Sequence, residues 1–172
     1  MIRPPLAAFV VFLALGASAP ALVHAVGGAC WVWLPAHVPA LLGGLAFGPG
    51  VGAVAALGTA VSDQLLGGGE VGWGLVPIAA EILSYGLVGG LLGRRAGSRA
   101  GLFGALVGAM LAGRLVYAVA ATVLGREVSG LVNGLFVTPW PGIVLQLVLL
   151  APLAAGLRDG VARRGAAPPP RG

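Results

Sequence analysis

The chain has 172 residues, 58% of them hydrophobic and only 9% charged, with a mean hydropathy of +1.00. A soluble domain carries about 25% charged residues, so the composition reads as an integral membrane protein with room for one helical bundle and no second soluble domain. The net charge of +5 comes with no lysine at all, which excludes a P-loop, whose lysine contacts nucleotide phosphates, and a Schiff-base site.

A bilayer core needs about 20 apolar residues per helix, and the sequence supplies six such stretches, at 4–26, 31–48, 50–67, 73–93, 100–124 and 138–157. The first follows Arg3. Its Ala17-Ser18-Ala19 has the small-residue look of a signal-peptide cleavage site, but apolar sequence continues to Val26, so the segment reads as a retained span carrying His24 near its end. The second contains Leu34-Pro35-Ala36-His37-Val38-Pro39. Each proline removes a donor and crowds the preceding turn, so a local unwinding beside His37 is expected. Backbone freed at membrane depth must face protein or a cavity, and such breaks mark solute sites in transporters. Pro49-Gly50 parts the second span from the third, which holds Asp63. Gly67-Gly68-Gly69-Glu70 reads as a flexible loop before Trp73. Glu81 and Tyr85 lie in the fourth span, Arg114 and Tyr117 in the fifth, and Gln146 in the sixth, behind the second break Pro139-Trp140-Pro141-Gly142.

From Arg158 onward arginine, glycine and proline read as a solvated tail, giving a six-helix domain over 1–160 and a disordered, basic, Pro-rich cytoplasmic tail over 161–172. The single cysteine, Cys30, permits no internal disulfide. The 31 glycines sit inside apolar runs, as expected where small residues let helices approach in lipid. Gly44/Gly48, Gly89/Gly93, Gly104/Gly108 and Gly130/Gly134 have small-xxx-small spacing.

The arginines set the orientation. With six spans, Arg3, Arg94, Arg95, Arg99, Arg158, Arg163, Arg164 and Arg171 share one side and Arg126 takes the other, which places both termini in the cytoplasm. Their flanking positions make them topology signals rather than a nucleic-acid surface.

His37, Asp63, Glu81, Arg114 and Gln146 stand out as strongly polar side chains inside the apolar spans. Ionisable groups inside a bilayer are costly, about 2.5–3.5 kcal/mol each on insertion scales, and commonly line a solute site. At about 1.5 Å of rise per residue they fall roughly 6–15 Å below the outer surface. Trp31, Trp33, Trp73 and Trp140 mark that boundary. The inner half carries no comparable group, so a pocket open outward and closed inward is expected. Each residue also has a structural reading. The tryptophans are interfacial anchors, Arg114 pairs with Glu81 or Asp63, His37 fixes a broken helix end, and Asp63 is solvated. No ligand spacing such as HExxH points to a metal. Three other functions stay open at this level: an intramembrane enzyme using His37, Asp63 or Glu81 as acid and base, a proton or ion pathway, and a passive assembly protein.

Several segments together resemble the substrate-binding (S) subunits of energy-coupling factor transporters for vitamins. They are the GAxxPALVHAVG run from Gly16, the segment LPAHVPALLGGLAFGPGVGA at 34–53, Glu81-x-x-x-Tyr85-Gly86, Gly113-Arg114 with Tyr117, and PGIVLQ from Pro141. The resemblance implies a compact all-α bundle of six transmembrane helices in the cell membrane, without an ATPase site or cofactor of its own. It would bind a vitamin or related metabolite, and a pantothenate-like solute suits an arginine-plus-glutamate site. Glu81, Tyr85, Arg114, Tyr117 and Gln146 would line the cavity beside His37, with Trp31, Trp33, Trp73 and Asn133 as a lid. It further implies a membrane coupling subunit and two ATPase subunits as partners. The family's Ala-x-x-x-Ala docking contact in the first helix aligns here with Val10 and Ala14, with Ala14/Ser18 as a substitute. The loop from Gly67 to Gly72 also departs from the family's proline-containing loop.

Overall fold

The computed structural model describes residues 6–25, 30–66, 75–126, 130 and 133–166. Regular structure among them is entirely helical: α1 (Leu6–Ala25), α2 (Cys30–Trp33), α3 (His37–Phe47), α4 (Pro49–Leu66), α5 (Leu75–Arg95), α6 (Arg99–Val123), a π-helical turn (Asn133–Val137) and α7 (Trp140–Ala166). Among the described residues, three segments, Leu75–Arg95, Arg99–Val123 and Trp140–Arg163, are long and apolar enough to cross a membrane. Large aliphatic side chains such as Leu65, Leu91, Leu115 and Val148 point away from the bundle, the surface a helical membrane protein offers to lipid.

Prolines and glycines set the boundaries. Pro39 falls in the first turn of α3, Pro77 in that of α5 and Pro141 in that of α7, where the missing N–H is not needed. Pro49 opens α4 directly behind Gly48, whose φ of 101° is open to glycine at little cost. At α6 the Ser98 hydroxyl accepts from the Gly101 N–H at 3.1 Å, an N-cap. Pro152 lies inside α7 and removes one ladder bond there.

The segment around His37 is broken, as the paired prolines require. Helix stops at Trp33 and resumes at His37, and Leu34 takes a positive φ of 51°. The freed carbonyls find donors. Leu34 O accepts from the His37 N–H and from Gln146 Nε2, both at 3.1 Å, Pro35 O accepts from the Val38 N–H at 3.2 Å, and Ala36 O accepts from Thr59 Oγ1 at 3.4 Å. Side chains of α4 and α7 therefore do for this backbone what water does outside a membrane.

The short helix α3 is the centre of the molecule and packs against α1, α4, α5, α6 and α7. Contact between α3, α4 and α5 is backbone on backbone. A Cβ on Gly52 would stand 2.6 Å from Gly86 Cα, and one on Gly90 would stand 2.6 Å from the Gly48 carbonyl carbon. Of the glycine pairs named above, Gly44 lies in this crossing, Gly104 and Gly130 have nothing within 4 Å, and the tight pair Gly86/Gly90 was not among them. Leu41, Leu45, Leu102, Leu106, Met110 and Leu150 form the main apolar core.

Helix α7 runs on to Ala166, past Arg158, where the sequence reading began a solvated tail. The reason is local. Arg158 Nε donates to Leu45 O at 2.9 Å, Nη2 donates to the same oxygen, and Nη1 reaches Ala96 O at 3.3 Å. One guanidinium thus serves a late carbonyl of α3 and the carbonyl just past α5, where a cation suits the helix ends. The rest of the expected tail, 167–172, lies outside the described residues.

Candidate functional site

At the end of the bundle where α3 begins, three helices bring four polar side chains together. The short α3 contributes His37 in its first turn. Helix α5 contributes Glu81 and Tyr85, one turn apart on the same face. Helix α6 contributes Arg114, and each of the four is buried.

The chemistry centres on one oxygen. Glu81 Oε1 accepts from Tyr85 Oη at 2.6 Å and from Arg114 Nη1 at 2.8 Å. The His37 ring packs on the Tyr85 ring, centroids 4.9 Å apart and planes inclined at 59°. A glycine makes this possible: a Cβ at Gly113, next to Arg114, would come within 2.9 Å of Tyr85 Cζ. Tyr85 therefore fills the place where the side chain of residue 113 would be, and its phenol is fixed against Glu81. The Arg114 Nε and Nη2 atoms are buried without a hydrogen-bond partner among the described residues. A buried ion pair is weak evidence for stability in itself, yet stranding either partner is costly.

Gln146 sits beside this group with a different task. A Cβ on Gly142, one turn earlier, would stand 2.6 Å from Val32 O. That close approach lets Gln146 Nε2 reach Leu34 O at 3.1 Å, while its Oε1 is buried and unpartnered. Beyond the polar level lie Leu41, Leu45, Leu106, Leu150 and Ala154, and among these described residues the packing is apolar.

The other candidates among the described residues make no hydrogen bond, ion pair or ring contact with this cluster. Tyr117 is half-buried one turn past Arg114, and among the described residues no hydrogen bond joins it to the others. Asp63 is half-buried near the end of α4, and Arg114 pairs with Glu81 instead. Trp33 and Asn133 are exposed. Trp73, the side chains of Trp31 and His24, and the loop from Gly67 to Glu70 lie outside the described residues. On α1, Val10 and Ala14 are exposed, and half-buried Ser18 donates to Leu15 O at 3.3 Å. Among the described residues no three His, Cys, Asp or Glu side chains are placed to hold a metal ion.

Sequence reasoning missed three parts of the site. Leu34 acts through its carbonyl and Thr59 through a hydroxyl that also bonds Ala55 O at 3.0 Å. A cavity of about 130 Å³ beside Arg114 is walled by apolar residues of α6, α7 and the π-helical turn. Thr59 and the cavity carried no sequence signal, whereas the proline pair did announce that backbone near Leu34 would need a donor. Comparison with protein-family models, with curated proteins and with solved structures gives no match.

Proposed function

We propose that this chain is the membrane-embedded capture subunit of an energy-coupling factor type importer. It takes a vitamin or related small metabolite from outside and delivers it inward with a membrane coupling subunit and two ATPase subunits. The observation that carries this reading is the convergence of His37, Glu81, Tyr85 and Arg114 from three helices at one level, with an apolar core beyond them. Buried ionisable groups at membrane depth are a functional site by default, and the polar level with packing beneath it is a dead end rather than a conduit. Order and spacing of the segments resembling the S subunits add to it.

In this reading the chain crosses the cell membrane six times, with both termini in the cytoplasm. The short pieces α2 and α3 make up one crossing through the break at Leu34, as discontinuous helices do around solute sites. The exposed Val10 and Ala14 face of α1 meets the coupling subunit. The protein itself catalyses no reaction.

Mass spectrometry of small molecules released from the detergent-purified chain tests the proposal, together with uptake of the released compound by vesicles containing the chain with and without the ATPase complex. A vitamin-like solute accumulated only with the partners is the expected result. Uptake independent of any ATPase, or a chemically altered product, would sink the reading.

A further inference from the structure

Away from the polar cluster, α7 carries a bare face. Gly156 and Gly160 lie one turn apart on it, and a Cβ at either would meet nothing within 4 Å among the described residues. They line a groove of about 340 Å³ together with Ala7 and Val11 of α1 and the stacked rings of Phe12 and Phe47, whose centroids are 5.4 Å apart. Helix α1 packs on α3 and α4, and α7 packs on α3 and α6, so the groove is the gap left between α1 and α7. No residue that lines it is polar or charged. A dry cavity of about 150 Å³ accepts benzene, so this one has room for a chain of roughly a dozen carbon atoms.

Arginines stand at one end of the groove. Arg163 follows Gly160 by three residues and Gly156 by seven, which sets it on the same face of α7, and it is exposed. Arg94, also exposed, has its Nε 3.0 Å from where a Cβ on Gly48 would stand, and Gly48 directly follows Phe47 of the groove. Arg158 is committed to Leu45 O and Ala96 O. Among the described residues no hydrogen bond or ion pair engages the side chain of Arg94 or Arg163. Asp159 is exposed one turn before Arg163, yet no ion pair joins the two.

An apolar slot that runs up to free cations is complementary to an acyl chain with an anionic headgroup. We propose that the groove between α1 and α7 holds an acyl chain of an anionic phospholipid, whose phosphate is bound by Arg163 with Arg94 adding positive charge nearby. A planar guanidinium grips a phosphate through two parallel hydrogen bonds, and basic pockets between membrane helices hold anionic headgroups at the cytoplasmic leaflet. With both termini cytoplasmic, as proposed above, the arginine end faces that leaflet. A second copy of the chain fits the groove less well, because it would bring another Arg163 to the same face. The inference needs only a chain embedded in a membrane and does not depend on the importer reading.

The test is native mass spectrometry of the full-length chain, released from detergent after titration with dioleoyl-phosphatidylglycerol and dioleoyl-phosphatidylcholine. The glycerol lipid is expected to bind at least about tenfold more tightly than the choline lipid. Gly160→Leu fills the groove from an open position, and Arg163→Gln removes the phosphate donor. Each should weaken phosphatidylglycerol binding by about tenfold. Neither removes a contact within the protein, so lipid-free thermal unfolding should be no lower than the parent's; if Gly160→Leu does not fold, Arg163→Gln decides. Arg99→Gln, which removes one exposed charge from the same end of the bundle but away from the groove, should change binding by less than about twofold. Equal binding of the two lipids, indifference to Gly160→Leu or to Arg163→Gln, or an equal loss in Arg99→Gln each overturns the proposal. So does a dimer, or a complex with the ATPase partners, that Gly160→Leu dissolves while lipid binding stays unchanged.

Discussion

At the scale of single residues, the Glu81–Arg114 pair is where charge matters most. Glu81→Gln keeps an acceptor for Tyr85 but leaves the guanidinium buried without a counter-ion. Removing one partner of a buried pair costs about 3–5 kcal/mol, whereas replacing both with apolar residues of similar volume is often neutral or stabilising. Unfolding in mixed micelles should therefore show Glu81→Gln strongly destabilised and the Glu81→Gln/Arg114→Met double variant, which keeps the acceptor for Tyr85, much closer to the parent. Equal destabilisation of the two would mean that the charges are not coupled. Gly113→Ala addresses the same cluster from its steric side. The new methyl would meet the Tyr85 ring, so a loss of about 1–3 kcal/mol is expected from overpacking. The loss should shrink when Tyr85→Leu is made in the same chain. His37, Glu81, Arg114 and Gln146 were legible in the sequence because an ionisable or amide group in an apolar run has few reasons to be there. Their division of labour was not, since Gln146 serves a backbone carbonyl that only the folded chain brings near.

At the scale of elements, packing depends on which glycines face a neighbour, and spacing alone cannot tell. With 31 glycines in the chain, small-xxx-small pairs arise on every face. Only the fold separates Gly86, which meets the Gly52 backbone, from Gly104, which meets nothing within 4 Å. Gly86→Ala should force α4 and α5 apart and destabilise by about 1–3 kcal/mol or more. Gly104→Ala should be neutral or stabilise by about 0.5–1 kcal/mol, because alanine gives up less backbone entropy in a helix. Opposite signs in one unfolding assay would confirm the assignment, and equal effects would contradict it. Arg158 makes the same point for charge. The sequence presented it as one more topology arginine, yet it binds carbonyls at the ends of two helices. Arg158→Lys keeps the charge but loses the planar fork that reaches both Leu45 and Ala96. It should be nearly as destabilising as Arg158→Ala, about 1–2 kcal/mol for charge-assisted bonds at a partly exposed site. A lysine variant as stable as the parent would show that charge at the helix ends is enough.

At the scale of the whole molecule, composition and the length of the apolar stretches made the helical class legible, because apolar runs of membrane length have few other folds open to them. The number of crossings is harder, since α3 spans only His37–Phe47 and would need α2 and the break to complete a passage. Topology then turns on whether the α5–α6 connection and the turn before α7 lie on opposite sides. The arginines argue that they do: Arg94, Arg95 and Arg99 surround the first, and the second has only Arg126 near it. Both regions offer exposed positions, Ser98 and Asn133, and the chain's one native thiol, Cys30, can be removed as Cys30→Ser. In that background a membrane-impermeant maleimide applied to intact cells should label Asn133→Cys. It should reach Ser98→Cys only after lysis. The reverse pattern would invert the orientation and put the polar end of the bundle at the cytoplasm, where a capture site for external solute makes no sense. Equal labelling of the two would mean that α6 does not cross, and six passages would fall with it.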